Sequence, residues 1–180
     1  NADGEINSND ATRDIGYTDM PEYTAGLNTG FSWKNFDFSM QWTGAWNVDR
    51  MLDEFRRPLG DTNEKGLLLY QYDTTWRSSA DTFTAKFPRT SSLHASNNYA
   101  GSDLYLINAS YLRLKSVEIG YNFNFPFMKK LKMDNCRLYV NGYNLITITG
   151  FKWGDPESRQ SSRPNYPLTR VFNIGLKLGF

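Results

Sequence analysis

Three stretches of this chain alternate apolar and polar residues with a period of two, the spacing of a strand that buries one side. In "EYTAGLNTGFSW", Tyr23, Ala25, Leu27, Phe31 and Trp33 fall on one side, and Glu22, Thr24, Asn28 and Ser32 on the other. After Lys34 and Asn35, "FDFSMQWTGAWNVD" sets Phe36, Phe38, Met40, Trp42, Trp46 and Val48 against Asp37, Ser39, Gln41, Thr43, Asn47 and Asp49. Two such runs around a two-residue break predict a hairpin with strands over 22–33 and 36–50. The third run, "RVFNIGLKLGF", places Phe172, Ile174, Leu176, Leu178 and Phe180 on one side of a strand over 169–180. A soluble chain would leave such a strand as an exposed, aggregation-prone edge, so the pattern predicts a cover for it.

Two further strands, over 111–123 and 136–148, alternate less cleanly. In "YLRLKSVEIGYNF", Val117, Ile119, Tyr121 and Phe123 share parity with Arg113 and Lys115. That mismatch predicts a bulge or a change of face near Lys115. The connections differ sharply in length. Residues 34–35 and 124–135 make short turns, whereas 51–109 and 149–168 lose the alternation. The longer of these contains a predicted short helix near "NEKGLLLYQY" and then polar, Ser-rich sequence.

Strand length changes the picture. Globular strands average about 5–6 residues, and a strand crossing a bilayer in a barrel needs about 9–11. Barrels of that kind carry long loops at one end and short turns at the other. Successive strands reverse direction, so both long connections here fall at one end and both short turns at the other. Periodicity alone leaves an ordinary β-sandwich equally open; strand length and loop asymmetry favour the barrel.

Composition adds one feature and removes several. Aromatics reach 16%, with 12 Phe, 11 Tyr and 5 Trp. They suit strands, sugar-binding faces and the interfacial girdles of membrane barrels, where Trp42 and Trp46 would belong. The net charge of +1 carries no cationic excess for nucleic acid. Cys136 is the single cysteine and His94 the single histidine, so no internal disulfide, thiolate cluster or cofactor is predicted. A mean hydropathy of −0.59 reads as soluble, but alternating strands escape that index. The opening "NADGEINSND" has neither an initiator Met nor an apolar signal region, which reads as a mature product or a fragment.

The order of motifs resembles the C-terminal end of the SusC/RagA family of TonB-dependent outer-membrane transporters. It is carried by "YLRLKSVEIGYNF", "CRLYVNGYNLITITGF", "GDPES" and "RVFNIGLKLGF", with "DATRDIGYTDMPEYTAGLNTGFSWKNFDFSMQWTGAWNVD" similar to the preceding hairpin. The resemblance implies an all-β fold: antiparallel strands forming the C-terminal part of a barrel of about 22 strands. It implies a location in the outer membrane, in contact with lipid. It also implies as partners the remaining barrel and plug, TonB, and a SusD-like surface lipoprotein acting as a lid. The cargo would be an oligosaccharide or peptide. The chain departs from the pattern by omission, since it has no plug, no TonB-contacting segment and about five strands, too few to close a barrel.

Within that reading Trp76, Arg77, Tyr99, Tyr105, Trp153 and Arg159 are candidates for substrate or lid contact. Aromatic faces stack on sugars and guanidinium groups bind carboxylates; the structural alternative for each is loop packing. Phe172, Ile174, Leu176, Leu178 and Phe180 resemble the signal by which the assembly machinery recognises barrel strands. His94 with Ser91, Ser92 and Asp103 lacks any spacing that fixes a triad. Asp49, Asp53, Glu54 and Asp61 do not match an EF-hand loop. No catalytic role and no metal are therefore assigned. The rival reading is a soluble β-sandwich that binds carbohydrate.

Overall fold

A computed structural model describes residues 3–5, 7–12, 14–53, 69–90, 98–126, 128, 132–158 and 168–180. These form two compact units, one drawn largely from residues before Pro21 and from Asp49–Asn108, the other from Pro21–Val48, Ala109–Ser158 and 168–180. The second unit is a five-stranded antiparallel sheet. Its strands are β1 (Tyr23–Trp33), β2 (Phe36–Trp46), β5 (Tyr111–Phe123), β6 (Asn135–Thr149) and β7 (Val171–Gly179), in the order β1-β2-β5-β6-β7. In the first unit, β3 (Asp49–Met51) pairs with β4 (Leu106–Asn108), and α1 spans Leu69–Thr74. The sequence predicts a second strand running on to residue 50. Instead the chain leaves the large sheet after Trp46, at Asn47, whose φ of 54° is left-handed and breaks the ladder.

Register explains the alternation that failed in β5. From Phe36↔Tyr121 to Gln41↔Ser116 the β2–β5 ladder is regular, and Trp42 then pairs with Leu114, so Lys115 is skipped. That extra residue reverses parity. Leu112 and Leu114 join the apolar face, while Arg113 moves to the polar face between Thr43 and Thr147. The bulge predicted near Lys115 is therefore present, and it keeps a buried cation off the apolar face. Strand β6 adds one more residue opposite it, since Leu114 pairs with Ile146 and Ser116 with Tyr143. Asn144, within that irregularity, has φ 54°, a conformation asparagine tolerates.

The apolar face then reads as continuous rows across the sheet. Trp33, Phe36, Tyr121, Leu138 and Leu176 form one row; Phe31, Phe38, Ile119, Val140 and Ile174 the next; Leu27, Trp42, Leu114 and Ile146 a later one. Much of this face is exposed, with Phe172 at 71% and Ile174 at 78%, while Leu114 near its middle is 7% exposed. Aromatics gather at the hairpin end, where Phe36 meets Tyr121 edge-on at 4.7 Å and Tyr121 meets Phe123 at 4.9 Å. Tyr23 and Trp46 pair at the opposite end. Aliphatic residues dominate between. Ten residue steps separate Trp33 from Tyr23, roughly 34 Å along the strand. At the usual barrel tilt that is about 26 Å of height, close to the apolar band of an outer-membrane barrel.

Candidate functional site

The polar face carries two ion-pair clusters. Near the hairpin end Arg137 donates from Nε to Asp37 Oδ1 at 3.0 Å and from Nη2 to Glu118 Oε1 at 2.7 Å, with a further contact to Asp37 Oδ2. Asn122 donates to Asp37, Asn141 to Glu118, and Asn173 to Asn141. The chain of bonds crosses β2, β5, β6 and β7. Arg137 reaches β2 from β6 by lying over Gly120, where a Cβ would run into its guanidinium.

The second cluster lies at the opposite end of the sheet and follows directly from the sequence "GDPES". Gly154 has φ 137°, a conformation that favours glycine. Asp155 Oδ1 accepts from the Glu157 backbone N–H at 2.9 Å, and the Ser158 N–H donates back to the Asp155 carbonyl at 3.1 Å. Pro156 between them is fully buried. This tight turn aims two carboxylates at one cation: Arg113 Nη2 donates to Asp155 and Nη1 to Glu157, both at 2.7 Å. Arg113 Nε donates to Thr147 Oγ1 at 3.1 Å, and its side chain is only 3% exposed. Lys115 Nζ stands 3.3 Å from Glu157. A guanidinium so nearly dry requires this full set of acceptors.

Beside the clamp lies a cleft of about 400 Å³ lined by Arg113, Asn144, Thr147, Lys152, Asp155 and Arg170, among others. Asn144 Nδ2 donates weakly to the Thr169 carbonyl at 3.4 Å, while its Oδ1 is buried without a hydrogen-bond partner among the described residues.

The residues named from sequence are distributed differently. Trp153 is half-buried on the 150–158 loop, two positions before Asp155. Trp76, Arg77, Tyr99 and Tyr105 belong to the other unit. There Arg77 is exposed, and its guanidinium lies 4.1 Å from the Tyr72 ring centroid. Trp76 is half-buried, and its backbone N–H donates to the Phe87 carbonyl. Tyr99 is half-buried. Tyr105 is 1% exposed, stacked on Phe87, with its hydroxyl donating to the Asn98 carbonyl at 2.7 Å. It serves packing in this structure and presents no face to a ligand. In the same unit the Arg77 and Ser78 backbone N–H groups hold the Asp81 carboxyl below its ordinary value. Arg159, His94, Ser91, Ser92, Glu54 and Asp61 lie outside the described residues.

Sequence reasoning did not name Arg113, Asn144, Lys152, Asp155, Glu157 or Arg170 as a site. Two signals were there: an arginine on the wrong parity of an apolar strand, and a Gly-Asp-Pro-Glu turn able to present paired carboxylates.

A long-stranded antiparallel sheet with ion pairs on one face and a largely exposed apolar face on the other has the architecture of a membrane-barrel wall. No family model matches the chain. Among curated proteins, it is 29% identical to TonB-dependent receptor P3 of Formosa agariphila over 98% of its length, and 24% identical to TonB-dependent receptor P26 of the same organism over 100%. It is 28% identical to TonB-dependent receptor SusC of Bacteroides thetaiotaomicron, again over 100%. The chain spans 18%, 19% and 17% of these three relatives. Among solved structures, the RagAB peptide importer in its closed-closed state superposes with a TM-score of 0.71 at 20% identity. It covers 99% of this chain and 20% of the other. The RagAB peptide transporter gives 0.67 at 21% identity, covering 92% and 18%. The resemblance to SusC/RagA-type TonB-dependent receptors thus extends over the whole chain, and the fold is that of a segment of their barrel. The relatives are receptors and transporters.

Proposed function

We propose that this chain supplies barrel wall and extracellular loops to a TonB-dependent outer-membrane importer of glycans or peptides, working beneath a SusD-like lid lipoprotein. The observation that carries the reading is the largely exposed apolar face of about 26 Å with aromatics at both ends, which fits lipid. The curated relatives and the RagAB likeness support import as the activity. Strands β1 and β7 are the edges of the sheet, and the remaining barrel would pair with both. In this reading 51–109 and 149–168 are extracellular, contributing to the substrate cavity and the rim for the lid. The turns at 34–35 and 124–135 are periplasmic. The face of Phe172, Ile174, Leu176, Leu178 and Phe180 would be recognised during assembly before lipid covers it. Energy would arrive through the plug and TonB, which act on other parts of the protein.

A membrane-impermeant thiol reagent tests this in intact cells expressing the complete transporter with Cys136→Ser. Ser79→Cys and Lys152→Cys should be labelled without lysis, and Asn35→Cys only after it. Labelling at Asn35→Cys in unbroken cells would reverse the topology. Recovery of the protein without detergent would favour the soluble sandwich.

A further inference from the structure

We infer that the cleft beside Arg113 is a subsite for a carboxylate-bearing portion of the cargo, an inference that rests on the import reading above. The lining brings together three cations, Arg113, Lys152 and Arg170, and one carboxylate, Asp155. The guanidinium of Arg113 is committed to Asp155, Glu157 and Thr147. Lys152 and Arg170 are exposed, and among the described residues no carboxylate stands within ion-pair distance of either. The surplus charge is therefore held by the two side chains free to move onto a ligand.

The clamp determines why that surplus persists. Asp155 and Glu157 are the carboxylates on this turn, and both are paired with Arg113. That trio carries one net negative charge, so the positive character of the recess comes from Lys152 and Arg170. A planar carboxylate matches the guanidinium of Arg170, with Lys152 as a second point charge. Leu168, half-exposed, adds apolar surface to the lining. A volume of about 400 Å³ lies toward the small end of ligand pockets and suits one residue of an oligomer. A uronic-acid residue of a glycan carries a carboxylate, and so does an acidic or terminal residue of a peptide. The shared chemistry is what the cleft reads.

Calorimetry on the complete transporter in detergent separates the sources with two matched pairs of probes. One pair is an oligogalacturonate and a neutral oligosaccharide of equal length; the other is an acidic peptide and its amidated neutral counterpart. At least one carboxylated probe should bind more tightly than its neutral partner, and the pair that shows the difference identifies the source. Arg170→Gln and Lys152→Gln should each reduce that preference by about 3- to 10-fold while outer-membrane abundance stays at the wild-type level. Equal binding within both pairs, a preference that survives the double variant, or tighter binding of a sulfated than a carboxylated oligosaccharide would overturn the assignment. Failure of the import reading is distinguishable, because the protein would then be missing from the outer membrane whatever the probe charge.

Discussion

Arg113 and Arg137 stand on the same face of the sheet, and each lies over a tyrosine ring two positions away on its own strand, Tyr111 at 5.4 Å and Tyr139 at 5.1 Å. Each also binds two carboxylates. The difference is where those carboxylates come from. Asp37 and Glu118 sit on neighbouring strands, so Arg137 ties wall to wall and fixes how β2, β5 and β6 are aligned. Asp155 and Glu157 sit on one turn, so Arg113 ties a loop to the wall and shapes the cleft beside it. Exposure follows the same division, 3% for the Arg113 side chain and 19% for Arg137. A cation on an open wall keeps some water, whereas one beneath a loop must be satisfied by protein alone.

Breaking the loop clamp should therefore have the largest effect. Arg113→Met leaves Asp155, only 11% exposed, without its cation beside the more exposed Glu157, and breaking a largely buried pair in this way costs about 3–5 kcal/mol. The complete transporter should lose thermal stability, and its 150–158 loop should become open to protease. Wild-type resistance in that loop would mean that the turn holds itself.

The next test asks whether both arginines depend on the face they occupy. Met40 lies in the middle of the apolar face and Ser39 on the polar one. Met40→Arg should cost about 2–4 kcal/mol near the bilayer midplane, and Ser39→Arg should be tolerated. Urea unfolding of the refolded barrel in lipid measures both. Equal damage at the two positions would mean that both faces are packed against protein.

The smallest effect should come from Gly120→Val, which separates the two clusters. Valine favours strands, but its side chain would occupy the path of Arg137 over β5 and displace it from Asp37 and Glu118. Loss of those partly solvated bonds should cost about 1–2 kcal/mol in the same unfolding experiment, with the 150–158 loop as protease-resistant as in the wild type. A loop that loosened as well would show that the clusters act as one unit.

Much of the wall was legible along the chain because alternation is local. The face of Phe36, Phe38, Met40 and Trp42 is set by a period of two that needs no partner strand to be read, and so is that of Phe172, Ile174, Leu176 and Leu178. The short break at Lys34 and Asn35 was legible for the same reason, and Lys34 takes the left-handed φ of 55° that a two-residue hairpin requires. Even the misfit of Arg113 and Lys115 announced a bulge. Its consequence was not legible, because parity on β5 is decided by which residue Trp42 selects as its neighbour. The end of β2 at Trp46 was missed likewise, since Asp49–Met51 is claimed by Leu106–Asn108, more than fifty residues away. Tyr105 read as a recognition aromatic from its composition-rich loop, yet Phe87 and Asn98 hold it inside.

The sequence by itself determined strand positions, their two chemical faces and the asymmetry of the connections, all of which rest on neighbours within a few residues. Only the tertiary structure decided that Gly-Asp-Pro-Glu closes on Arg113 from more than forty residues away, leaving Lys152 and Arg170 free of partners among the described residues. A charge has no direction in sequence. Its partner is chosen in space, by whichever carboxylate the fold brings near enough to replace the water that the guanidinium gives up.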